Sequence, residues 1–360
     1  MSGQRHFPNL VCTGLGSLTL NGTNVFTHNG STGLSAISSG IATLSNVTAS
    51  YNGTSHGSAG SGAYVVNCLY NTFSPQCENV SVPHAVTLKG INNFNGNNID
   101  GLVVYTLGAI TASQVTASNN THGRGAFLDN QWSYQDYNIT LTGNNVFNGN
   151  GNAGLEAYSN GSIAMSSLTA SGNTGGTSPV TGYDVGGADL NNVSKTTTPV
   201  TITLTGFNSF ENNLGSGTGL YAFSDGAITI SNLTANNNSS YGVFLDNASS
   251  PYNHLLLARN ITLTGFASFV NNGNDGLNFN SSGAFSVTQV TAGNNVGNGI
   301  IGKAGGSITL TCGTIYSNEV LGLDLTSASA ITLKGVFSDQ NGFPNSFNIL
   351  PVITQACPLP

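Results

Sequence analysis

The chain repeats itself at fixed spacing, and that constrains its fold more than any other feature. An aromatic residue followed seven positions later by Gly-Leu recurs at Phe26/Gly33, Phe94/Gly101, Phe147/Gly154 and Phe269/Gly276. Phe210/Gly219 carries two extra residues, and in Ile315/Gly322 an aliphatic replaces the aromatic. Seven residues beyond that Gly comes a second one (Gly40, Gly108, Gly161, Gly226, Gly283), and seven further an aliphatic followed by Thr-Ala (Val47, Val115, Leu168, Leu233, Val290). Each copy then closes on another Gly-headed apolar run, at Gly62, Gly125, Gly187, Gly242 and Gly299.

Inside the copies, short runs alternate apolar and polar residues with period two, as in Ile202 and Leu204 against Thr201, Thr203 and Thr205. That is the pattern of a strand with one buried face. Gly, Asn, Asp and Ser at fixed offsets break every run before a helix could nucleate. The smallest unit between Gly landmarks is 23 residues, Gly219 to Gly242 or Gly276 to Gly299, enough for three short strands and three turns. Coils of this kind stack in parallel into a solenoid. The Gly landmarks from Gly33 to Gly322 count eleven coils, which at about 4.8 Å per stacked strand gives a length of roughly 50 Å.

The motifs that carry this pattern, ITLTGxNxF, GLxAxS and SxLTAxNN, run from about Ser17 to Gly342. They resemble the right-handed parallel β-helix of the pectate-lyase-like superfamily, and most closely the Gly/Asn/Ser/Thr-rich repeats of large bacterial surface and adhesin-like proteins. The fold class expected is therefore all-β, a right-handed parallel β-helix of about eleven coils with short caps. Its organisation would be an N-terminal cap over residues 1–16, the helix over 17–342 and a C-terminal cap over 343–360. Loop insertions are expected at 68–84, 131–137, 171–186, 194–199 and 248–259. Because four of these follow an Asn at the same offset (Asn67, Asn130, Asn192, Asn247), they should emerge along one edge and form a wall.

Only 6% of residues are charged and 48 are Gly, a composition shared with disordered chains, but the regular inward apolar positions supply a continuous core. A net charge of −7 with only 7 Lys and Arg argues against a nucleic-acid groove. No apolar run approaches the length of a membrane span. Residues 1–16 lack the basic-then-apolar profile of a secretory signal, so the chain reads as a mature or excised segment of an extracellular or cell-surface protein. Cys68 and Cys77 in the first insertion are expected to form a local disulfide, and Cys357 to reach back to Cys312, leaving Cys12 unpaired. No Cys/His group stands at zinc spacing, and no metal or cofactor is expected.

The resemblance implies, as one alternative, a lyase with clustered acidic calcium ligands and a basic residue as base, or a hydrolase with a close Asp pair. In this sequence no two carboxylates are adjacent. Asp129 and Asp246 share an offset but lie several coils apart, with Asp189 near that column. Arg124, Arg259 and Lys303 are basic candidates and His122 and His254 candidate bases, each equally readable as a loop or edge residue. The Asn column at Asn67, Asn130, Asn192 and Asn247 reads as internal hydrogen bonding, and Asn-x-Ser/Thr triplets such as Asn138, Asn232 and Asn260 follow from the composition.

Two outward faces carry the functional expectation. On the strand after each heading Gly, alternate side chains should face solvent, including Tyr64, Val66, Val103, Tyr105, Phe127, Tyr158, Tyr221, Phe223, Phe244 and Ile301. Trp132, Tyr134 and Tyr252 in the insertions either extend this aromatic stripe or fold over it. An exposed stripe would bind surface glycans or proteins, or copies of the chain itself, as a non-enzymatic structural or adhesive element. The second face is the ITLT strand, with Thr140/Thr142, Thr201/Thr203/Thr205, Thr262/Thr264 and Thr309/Thr311 outward, interrupted by Lys89 and Lys334. Such flat Thr-x-Thr arrays resemble those of ice-binding β-solenoids, the other alternative.

Overall fold

Gly and Asn at the corners turn each apolar run back on itself after a few residues, so the chain builds stacked coils. A computed structural model of the protein describes residues 10–14, 16–53, 60–68, 70–71, 74–77, 82–178, 180–192, 199–249, 258–349, 352–355 and 357. Among these there is no helix. A typical coil has three faces: a five-residue strand such as Leu102–Thr106, a four-residue strand such as Ile110–Ser113 and a two-residue strand such as Val115–Thr116. Each pairs in parallel with its counterpart one coil on, so the chain is a parallel β-helix.

The first face is a 14-stranded sheet in which every strand but Gly176–Thr177 is a parallel rung. The eleven rungs from Leu34–Ser38 to Leu323–Ser327 are the eleven coils read from the Gly landmarks. Leu10–Gly14 adds a rung before them and Ser346–Phe347 one after, while Val352–Gln355 continues the second face. The disulfide joins Cys312 to Cys357, just beyond that last strand. Cys68 is disulfide-bonded; the Cys77 side chain lies outside the described residues, as do Cys12's, Tyr252 and His254.

The core is a set of columns running along the axis. One alternates large and small side chains coil by coil: Phe94, Ala117, Phe147, Ala170, Phe210, Ala235, Phe269 and Ala292, all buried. The alternation accounts for the two-coil repeat, since each ring takes space that the small residue above and below leaves free. Gly302 meets the same demand elsewhere: a Cβ there would strike the Phe279 ring of the preceding rung.

A second column escaped the sequence reading. From Asn29 to Asn341 each side-chain amide donates at 2.8–3.1 Å to the side-chain oxygen of the Asn one coil on. Each of those oxygens also accepts the backbone N–H of the preceding ladder residue, as Asn150 Oδ1 does from Asn120 N at 3.1 Å. The residue before each ladder Asn is left-handed, for example Tyr51, Asn119, Gly149 and Asn237, and this aims the amide inward. The heading glycines follow from it. A Cβ on Gly101 would sit 2.7 Å from the Asn120 amide nitrogen and 2.5 Å from the Gly125 carbonyl oxygen.

The Asn column expected to be internal serves the insertions. Asn67 donates to the carbonyls of His84 and Ala85, Asn130 to Tyr137, Asn192 to Thr201 and Asn247 to Arg259. Each clasps the two ends of a loop together, so the loops leave from one edge.

Candidate binding trough on the outer face

Register places every residue of the expected aromatic stripe on the outside of the first face, in two columns. One column passes through Tyr64, Val103, Phe127, Glu156, Asp189, Tyr221, Phe244, Asn278, Ile301 and Asp324. Its neighbour passes through Val66, Tyr105, Asp129, Tyr158, Asn191, Phe223, Asp246, Asn280 and Lys303.

Solvent reaches only part of this stripe. Tyr158 is 0% exposed, Phe127 3% and Tyr221 5%, and Val66 and Val103 are buried too. The insertions cause this by folding back on the face. Trp132 packs with Tyr64 and Tyr105 against Val66, Cys68 and Leu107, and its Nε1 donates to Asp129 Oδ2 at 3.2 Å. Trp132 is therefore part of a cover, while Tyr134 stands exposed. Arg124 lies 4.2 Å over the Phe127 ring. Within the expected insertion 171–186 a hairpin forms, with Gly176–Thr177 antiparallel to Asp184 and Val185, and its Ser178 Oγ lies 2.6 Å from the Tyr158 hydroxyl.

Beneath these covers sits a polar cluster. Arg124 pairs with Asp100 at 3.1 Å and with Glu156 at 3.2 Å. Burial alone would lower the Arg124 pKa, but the hydrogen bond and charge of Asp100, with Glu156, raise it. The Tyr158 hydroxyl lies 3.2 Å from Glu156 Oε2 and 2.8 Å from Asp189 Oδ2. Burial raises the Glu156 pKa and pushes Asp189 up to about 7. Glu156 and Asp189 are direct neighbours on adjacent rungs, which corrects the reading that no two carboxylates adjoin. They are 33 positions apart in the chain, yet each stands two residues after a heading Gly, at Gly154 and Gly187. That offset was the available signal.

The other candidates for chemistry do not converge. Asp129 and Asp246 share a column four rungs apart, roughly 19 Å at 4.8 Å per strand. His122 is exposed and bonded through Nδ1 to Asn98. Arg259 lies at the foot of an insertion, where its carbonyl accepts from Asn247. Among the described residues no group of three or more His, Cys, Asp or Glu could hold a metal.

Past the hairpin the face is open among the described residues. Tyr183 at the hairpin's end stacks on Tyr221 with ring centroids 4.7 Å apart, and Tyr221 stacks on Phe244 at 5.1 Å and 12°. Tyr241 meets Phe244 edge-on at 6.0 Å. Three adjoining concavities of about 320, 270 and 330 Å³ surround this stack. The first runs from Phe244 across Asn278, Asn280, Ile301 and Gly302 to Lys303 and Asp324. Asp246 at its side is already held by the amides of Ala248 and Ser249 and by Asn280. Since the far side of Phe244 looks toward the next rung, where Asn278 replaces an aromatic, one ring face of the stack is turned into this concavity.

On the second face one outward column runs in register from Thr19 to Thr332, all Thr except Ala164 and Ser286. Among the described residues none of its Thr hydroxyls makes a hydrogen bond within the protein. Lys89 and Lys334 belong to the neighbouring column, near its two ends.

No protein-family model, curated protein or solved structure matches this chain. Among the described residues no helix is long and apolar enough to cross a membrane.

Proposed function

We propose that the chain is a non-enzymatic, extracellular adhesive element that binds glycans through the trough beside Phe244. One observation carries the reading: among the described residues, the stack of Tyr183, Tyr221 and Phe244 ends on a ring face turned into a concavity bordered by amide, carboxylate and ammonium groups. A sugar ring would continue the stack as its next layer, while its hydroxyls meet Asn278, Asp324 and Lys303. The disulfide fits an oxidising compartment.

Phe244→Ala removes that ring face without entering the core. It is expected to weaken binding of an oligosaccharide selected on a glycan array about ten-fold or more, read by calorimetry, with the thermal midpoint little changed. A wild-type chain that retains no glycan on a broad array, or that forms polymers dissolved by Phe244→Ala, would overturn the reading in favour of nothing or of self-assembly.

A second reading is favoured by the free hydroxyl column from Thr19 to Thr332. Repeated at about 4.8 Å on a flat sheet, it would order water in a lattice and so bind ice. Thr203→Lys with Thr229→Lys is then expected to abolish inhibition of ice recrystallisation, and a wild-type chain without such inhibition removes the idea.

A further inference from the structure

The covered cluster holds more negative charge than it can neutralise. Asp189 is 0% exposed. Its Oδ2 accepts from Tyr158 and from Thr181 of the hairpin at 3.0 Å, and its Oδ1, also buried, has no hydrogen-bond partner. The Tyr158 hydroxyl has one proton to share between Glu156 and Asp189. Among the described residues Arg124 is the one cation here, and Asp100 and Glu156 already use it. The remaining groups packed around are Tyr158, Ser178, Thr181 and Tyr183 from this coil and its hairpin, Tyr221 on the next rung, and Asp246 beyond it. None of these is a cation, so among the described residues an ionised Asp189 would be a second uncompensated buried charge with a bare oxygen.

We propose that Asp189 is held as a neutral carboxylic acid beneath Ser178 and Thr181, and that its ionisation releases their hairpin and withdraws Tyr183 from the trough. The hairpin is poised for such release. It touches the cluster through Ser178 and Thr181, while Val180 and Tyr183 are exposed. Its own hydrogen bonds, Ser178 N to Tyr183 O and Thr177 Oγ1 to Asp184 Oδ1, travel with it.

The direction of the switch follows from linkage. Burial raises the Asp189 carboxyl to about 7 in the closed form, whereas an open, hydrated Asp titrates near 4. The proton therefore favours closure. That advantage is whole below about pH 4, falls about ten-fold per pH unit as pH rises, and is gone above about 7. The functional consequence rests on the trough reading: sugar is held in mild acid and released as pH passes neutrality.

The test is hydrogen exchange of residues 176–185 in the full chain without sugar, from pH 4.5 to 8.5, expressed as protection relative to the unfolded chain. Protection should fall about ten-fold per unit and level off near pH 7, and Asp189→Asn should make it independent of pH. A flat wild-type profile, or an Asp189→Asn chain that titrates like wild type, overturns the proposal. If Asp189→Asn fails to fold, Glu156→Gln decides. Removing that neighbouring charge must move the levelling point to lower pH, and an unmoved point is a refutation. Because the readout needs no sugar, a titrating hairpin in a chain that binds no glycan keeps the latch and discards the trough, while a flat profile in a glycan-binding chain does the reverse.

Discussion

Asn213→Ala is expected to melt the middle of the solenoid at temperatures where its ends persist. The Asn213 amide donates to Ala170 O at 3.2 Å and Asn238 Oδ1 at 2.9 Å, and its oxygen accepts from Asn173 N and Nδ2, both at 3.1 Å. Alanine leaves the Ala170 carbonyl and two Asn173 donors short of a partner. Ladder neighbours Asn173 and Asn238 are 0% and 2% exposed, so water cannot step in. At about 1–3 kcal/mol for each of these three orphaned groups, the loss is about 3–9 kcal/mol. Coils interact only with their neighbours, so the damage should stay local, visible as lost exchange protection around Leu204, Leu220 and Ile230.

Asn213→Asp sharpens the test. The carboxylate still accepts from Asn173 but has no proton for Asn238 Oδ1, so two oxygens face each other in a dry site. Repulsion and burial raise that acid's pKa in the folded chain, so its stability is greatest below the unfolded Asp range near 4 and declines as pH rises. Unfolding midpoints of both variants at pH 4 and pH 7 check this. An Asn213→Asp chain as stable as wild type at pH 7 would show that the ladder is not what holds the coils.

The coils were legible because one steric requirement repeats. Only Gly can stand where Gly101 or Gly219 stands, between a carbonyl oxygen and a ladder amide, and that demand marks every turn of the chain. Offsets from those glycines also placed Tyr64, Phe127 and Tyr221 on one column. The ladder was not legible for the opposite reason. Asn is so common here that its fixed position three residues after Ala49, Phe94, Ala117 or Phe147 was hidden among others. Nor could the sequence say which aromatics stay open. Enclosure of Tyr158 depends on where Ser178 of an insertion lands, and that of Tyr105 on Trp132 being anchored to Asp129. Such contacts depend on how a loop folds back, which no periodicity records.

The alternation of ring and methyl in the core should show itself as strong coupling. Phe210, Ala235 and Phe269 follow one another in the stack and are all 0% exposed. Phe210→Ala opens a cavity and is expected to cost about 3–5 kcal/mol. Ala235→Phe drives a third ring between two others and is expected to cost about 3 kcal/mol or more. In the double variant the ring at 235 enters the space vacated at 210. The second substitution should then be nearly neutral, with a coupling of about 3 kcal/mol read from denaturant midpoints of the four chains; strict additivity would refute the size alternation as the source of the two-coil repeat. That repeat also shapes the outer face. The clasps at Asn67, Asn130, Asn192 and Asn247 all close the second coil of a pair, which spaces the four clasped insertions two rungs apart. Two rungs span about 10 Å, the thickness of one packed layer. A loop at every coil would crowd its neighbour, whereas a clasped loop at every second coil has room to lie down on the sheet, as the one that carries Trp132 does.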